Sequence, residues 1–172
     1  MTPTGITNIA VLVSGNGTNF QAIVDAIESG RIQRARIVCL VSNKPDAYAL
    51  ERAKKHNIPA LVLEHKAYPN RQAYDGALVE LLRQHDVQLV LLAGFMRLLS
   101  PVMIEAFPHA IINIHPALLP AFPGIDAQKQ ALDYGVRYTG CTVHFVDTGT
   151  DTGPIILQAV VPVLQDDTLE SL

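Results

Sequence analysis

Tryptophan is absent from this chain of 172 residues, cysteine occurs only twice, and charged residues make up just 17%. Each scarcity excludes a class of protein. Cys39 lies in the apolar run Ile37-Val38-Cys39-Leu40-Val41 and Cys141 in Cys141-Thr142-Val143, settings that suit buried thiols in a reducing compartment better than a disulfide framework. The 13 basic side chains are outnumbered by 16 acidic ones, giving a net charge of −3. That balance offers no basic stripe for nucleic acid. Apolar runs such as Leu89 to Ala93 are far too short to cross a bilayer, so no membrane partner is expected. No basic segment followed by an apolar stretch opens the sequence, which argues against a signal peptide and for a cytoplasmic protein. No pair of histidines or cysteines has the spacing of metal ligands, so no metal is expected. What is plentiful is apolar content, at 49%. That is enough for a packed core in one domain spanning residues 1–172.

Periodicity sets the fold class. Ile9 to Val13 reads as a buried strand, followed by the helical stripe Phe20, Ile23, Val24 and Ile27 that stops at Gly30. Ile37 to Val41 predicts a second strand, Asp46 to His56 a short helix, and Ala60 to Leu63 a third strand. Tyr74, Ala77, Leu78, Leu81 and Leu82 share one face of the next helix. Val87 to Ala93 predicts the fourth strand, and Ser100-Pro101 an N-cap with proline at the first helical position. Ile111 to His115 is the fifth strand, and Asp126 to Tyr134 a helix closed by Gly135. Gly140 to Val146 and Ile155 to Val163 then follow with no helical period between them. The prediction is an α/β fold: a Rossmann-like, mostly parallel open sheet with helices on both faces and an antiparallel C-terminal element. Asp167-Thr168-Leu169-Glu170 has capping-box spacing with only two residues after it, so a C-terminal helix is expected to be cut short at residue 172.

Two segments carry chemistry. Ser14-Gly15-Asn16-Gly17-Thr18-Asn19 joins the first strand to the first helix, where glycines and free N–H groups cradle an anion. The sixth motif position is Phe20, and no acid ends the second strand, so a dinucleotide is disfavoured. A single phosphate monoester fits best; a plain tight turn is the bland alternative. The second segment is Asn113-Ile114-His115-Pro116. Alternation along a strand points Asn113 and His115 to one face, at the end of the sheet where ligands bind in open α/β folds. A carboxylate would complete the set, with Asp151 the candidate and Asp147 its local rival. His144 reads as structural, as do His56, His65, His85 and His109. The implied chemistry is acid–base and oxyanion catalysis on a carbonyl, without a covalent intermediate.

Four motifs in order carry a resemblance: Ser14 to Asn19; Gly94-Phe95-Met96-Arg97-Leu98-Leu99-Ser100-Pro101; Asn113 to Pro116; and Val143-His144-Phe145-Val146 through Asp151 to Pro154. Together they resemble the phosphoribosylglycinamide formyltransferases of purine synthesis. The resemblance implies formyl transfer from 10-formyltetrahydrofolate, as cosubstrate, to the amine of glycinamide ribonucleotide, by a monomer or homodimer. It places the catalytic trio on Asn113, His115 and Asp151, and the nucleotide phosphate on Gly17, Thr18, Asn19, Phe20 and Gln21. It places the folate along Met96, Arg97, Leu98 and Leu99, along Asp147, Thr148, Gly149, Thr150 and Asp151, at Asn113, and near Arg71. Other formyl-folate enzymes, such as methionyl-tRNA formyltransferase or a formyltetrahydrofolate hydrolase, share an Asn-x-His and aspartate site. A non-catalytic ribose-phosphate-binding module is the rival from a different class. The Leu119-Pro120 bond, in a tight turn, is a candidate cis peptide.

Overall fold

The computed structural model describes residues 5–172, and these fall into two compact units divided between Ile111 and Ile112. The first unit alternates strand and helix: β1 (Thr7–Val13), α1 (Thr18–Glu28), β2 (Ala35–Ser42), α2 (Ala49–Lys55), β3 (Ala60–Val62), α3 (Arg71–Gln84), β4 (Leu89–Leu92) and α4 (Pro101–Ala106). Its strands lie in the order β3-β2-β1-β4, and every pairing is parallel. A strand flanked on both sides in a parallel sheet is covered on both faces, which is why Ala10 to Val13 are fully buried and the run is continuously apolar. Against it pack Phe20 and Val24 of α1 and Ala49, Leu50 and Ala53 of α2.

The second unit holds all but the first residue of β5 (Ile111–His115), then α5 (Ala127–Tyr134), β6 (Tyr138–Phe145) and β7 (Ile155–Pro162). Here pairing switches to antiparallel, β5 with β6 and β6 with β7. The parallel α/β architecture with an antiparallel C-terminal element is therefore present. Among the described residues no helix is long and apolar enough to cross a membrane.

The differences from sequence are local. Helix α2 begins at Ala49 rather than Asp46, because residues 44–48 form turns, including Leu50 N–H to the Ala47 carbonyl at 3.0 Å. Ser100 occupies the N-cap of α4 ahead of Pro101, but its side chain does not cap. Its N–H instead donates to the buried Asp75 carboxylate at 2.5 Å. Asp167 to Glu170 close a turn, with the Ser171 hydroxyl donating to Asp167 at 2.8 Å, and no helix forms there. Cys39 is buried as expected, whereas Cys141 is only half-buried; both thiols are free. Leu119-Pro120 is cis.

Candidate active site

The second unit builds its polar site from strand register. In the β5–β6 ladder Asn113 faces His144, and His115 faces Thr142. Both pairs lie on one face, because positions two apart along a strand share a face. Asp151 reaches the same place from the loop between β6 and β7. Its Oδ2 accepts from the Gly124 N–H at 2.8 Å and lies 3.3 Å from His115 Nδ1. Its Oδ1 accepts from the Asn113 amide at 3.4 Å and sits 3.6 Å from His144 Nε2. One carboxylate thus touches all three side chains, with only 13% of it exposed.

The loop is shaped by its own residues. Asp147 accepts from the Gly149 N–H at 3.0 Å and from the Thr152 hydroxyl at 2.7 Å, so it is the turn-former and Asp151 is the one that reaches the histidines. Gly153 has no room for a side chain: a Cβ there would lie 1.8 Å from the Phe145 carbonyl oxygen. Asp151 itself adopts φ 55°, a left-handed conformation that aspartate tolerates better than most residues. Thr148, Gly149 and Thr150 are exposed.

Hydrogen-bond logic fixes proton positions. His115 Nε2 is 2.8 Å from the Phe122 carbonyl, which can only accept, so Nε2 carries a proton. Nδ1 then meets the Asp151 carboxylate, and that contact is attractive when the ring is the doubly protonated imidazolium. His144 donates from Nδ1 to the Phe145 carbonyl at 2.9 Å, leaving Nε2 as an acceptor for the Asn113 amide at 3.2 Å. Both amide hydrogens of Asn113 are accordingly engaged, one by His144 and one by Asp151.

His144 corrects the sequence reading. It is fully buried and holds the Asn113 amide, so it belongs to the polar cluster rather than to a structural core. Cross-strand register was the signal, and it is invisible until β5 and β6 are paired. Thr142 is a second residue that the sequence alone does not single out. Its hydroxyl donates to the Ala117 carbonyl at 2.7 Å and accepts from the Leu119 N–H at 3.0 Å, which fixes the turn leaving β5.

The remaining candidates lie in the first unit. Gly17 is the N-cap of α1 at φ 75°, with no side-chain cap and no acidic residue in the first turn. The first helical bond runs from Gln21 N–H to the Gly17 carbonyl at 2.9 Å, so the N–H groups of Thr18, Asn19 and Phe20 precede the helix ladder. Thr18 and Asn19 are exposed, whereas the Phe20 side chain is core. Gly94 bends at φ 76°, and the Met96 N–H donates to the buried Ser14 hydroxyl at 2.9 Å. Met96 and Leu98 are exposed apolar side chains, Leu99 is buried, and the Arg97 guanidinium lies 4.9 Å from the centre of the Tyr74 ring. Arg71 is exposed at the first position of α3, next to the Asn70 cap.

Residues 7–172 match the family described as formyl transferase. The chain belongs to that family. A phosphoribosylglycinamide formyltransferase from Bacillus subtilis (strain 168) is 48% identical over 163 residues, covering 95% of this chain and 83% of the relative. The crystal structure of glycinamide ribonucleotide transformylase 1 from Symbiobacterium toebii is similar with a TM-score of 0.94 and 55% identity, over 96% of this chain and 78% of that one. The trifunctional purine biosynthetic protein adenosine-3 of Drosophila melanogaster is 48% identical over 165 residues, and there the chain spans only 12% of the relative's length. The cluster of Asn113, His115, His144 and Asp151 brings one amide, two imidazoles and a carboxylate together, groups of the kind that can stabilise an oxyanion and move protons.

Proposed function

We propose that this formyl transferase moves the formyl group of 10-formyltetrahydrofolate to the amine of glycinamide ribonucleotide in purine synthesis, in the cytoplasm. The observation that carries the reading is the single carboxylate of Asp151 set against both His115 and Asn113. Named relatives with this activity, matched over most of their length, support the substrate assignment.

The amine attacks the formyl carbon, the carbonyl π electrons move to oxygen, and a tetrahedral oxyanion forms. Asn113 and imidazolium His115 stabilise it by donating hydrogen bonds, and Asp151 compensates the charge on His115. Both donors are engaged as the chain stands. The contacts they would exchange for substrate are the long ones to Asp151, at 3.3 Å and 3.4 Å, rather than the 2.8 Å bond to Phe122. On collapse the C–N bond to the folate N10 breaks. N10 takes a proton, and the former amine loses one, with His115 as the carrier. No covalent enzyme intermediate is required.

Glycinamide ribonucleotide would seat its phosphate on the backbone of Gly17, Thr18, Asn19, Phe20 and Gln21. The folate would lie along Met96, Arg97, Leu98 and Leu99 and the Asp147, Thr148, Gly149, Thr150 and Asp151 loop, with Arg71 for its carboxylate. A formyl-transfer assay comparing glycinamide ribonucleotide, methionyl-tRNA and water as acceptors tests this assignment. Fastest turnover with the ribonucleotide is the expected result. Preference for either of the other acceptors, or folate-independent binding with no transfer, overturns it.

A further inference from the structure

The glycine loop after β1 does not stand alone; α2 is built against it. The Ala49 N–H donates to the Gly15 carbonyl at 3.1 Å, and a Cβ on Gly17 would come within 2.5 Å of the Ala49 Cβ. Arg52, one turn further along α2, spreads its guanidinium across the loop. Its Nε donates to the Asn16 carbonyl at 2.9 Å and one Nη to the Asn16 side-chain oxygen at 2.9 Å. The other Nη reaches the Gln21 side-chain oxygen at 3.5 Å. Its stem and plane are held in turn by Tyr48, whose ring centre lies 5.0 Å from the guanidinium carbon. Gln21 is fixed at its other end by Asp25 at 2.8 Å and His56 at 2.9 Å.

Asn16 and Gln21 flank the three N–H groups of Thr18, Asn19 and Phe20. We propose that Arg52 is a positioning residue for the ribonucleotide phosphate, clamping both ends of the loop so that those N–H groups converge on one anion. The inference rests on the phosphate reading of this loop given above. It is a role for a fork and not for a charge alone. Three donors in a fixed plane reach three acceptors, which a lysine ammonium on a flexible stem cannot reproduce.

The test compares Arg52→Ala and Arg52→Lys with the parent chain. Binding of ribose 5-phosphate is measured by calorimetry, and steady-state constants are measured with glycinamide ribonucleotide and with its dephosphorylated riboside. In both variants ribose 5-phosphate affinity falls and KM for the ribonucleotide rises by about tenfold or more, the scale of losing charge-assisted bonds. The turnover number and the KM for 10-formyltetrahydrofolate stay within about threefold, and constants for the riboside do not change. A merely structural arginine would shift all substrates together. Full recovery in Arg52→Lys, or parent-like phosphate affinity in Arg52→Ala, overturns the clamp. A parent chain that itself fails to distinguish ribonucleotide from riboside overturns the phosphate reading instead.

Discussion

Replacing Asp151 with asparagine keeps the shape of the side chain and removes its charge, so the local geometry dictates the result. The Gly124 N–H, 2.8 Å away, demands an acceptor and will hold the remaining oxygen in the Oδ2 position. The new amide nitrogen then takes the Oδ1 position, donor against donor with the Asn113 amide now 3.4 Å away. His115 loses the carboxylate it meets at 3.3 Å, and with it the partner that orients its ring. Positioned proton transfer is worth roughly 10²–10⁴ in rate, or about 2.7–5.5 kcal/mol of barrier. Turnover of Asp151→Asn should therefore fall at least about a hundredfold, with KM values for both substrates within about threefold, since neither substrate is held mainly by this carboxylate. Initial rates of formyl transfer at saturating substrates measure the first, and thermal denaturation checks that the fold survives. Turnover within tenfold of the parent would refute the reasoning.

Asn113→Ala removes an oxyanion donor and should cut turnover about 10²–10³-fold in the same assay, with the protein remaining folded by circular dichroism. Gly153→Ala drives a methyl to 1.8 Å from the Phe145 carbonyl oxygen, so the loop must move. It should lose about 1–3 kcal/mol in denaturant unfolding and most of its activity, and a neutral result would mean the loop is not packed as described. Burial pushes the Cys39 thiol from 9.0 up to about 11. A raised value in the folded state means its contribution to stability is complete below pH 9 and is lost as pH rises through about 11. The melting temperature should decline across that window, and less steeply in Cys39→Ala.

Most of the scaffold was legible because parallel strands buried on both faces write themselves as unbroken apolar runs. Ile111 to His115 came out with the observed limits, and the i, i+2 rule placed Asn113 and His115 together. What sequence could not reach was pairing between distant segments. His144 sits opposite Asn113 only through the antiparallel ladder, and Arg52 meets the glycine loop only because α2 folds back onto it. The choice between Asp147 and Asp151 was likewise undecidable locally. Both stand in a glycine-bearing loop, and only tertiary hydrogen bonds separate turn-former from site residue. Boundaries at α2 and near residue 167 differ because local turns, closed by Leu50 N–H on the Ala47 carbonyl and by the Ser171 hydroxyl on Asp167, stand where helix is expected.

Because Asn113 meets His144 by ladder position, the reactive cluster depends on chain length in an uneven way. An insertion among residues 125–137 leaves the Phe122 carbonyl and the Gly124 N–H in place, whereas one among residues 116–124 would displace the groups that hold His115 and Asp151. Deleting a single residue inside β6 would rotate a valine or phenylalanine into the place of the imidazole and send the histidine to the opposite surface. The connection can therefore lengthen only beyond Gly124, while the strand itself must keep count.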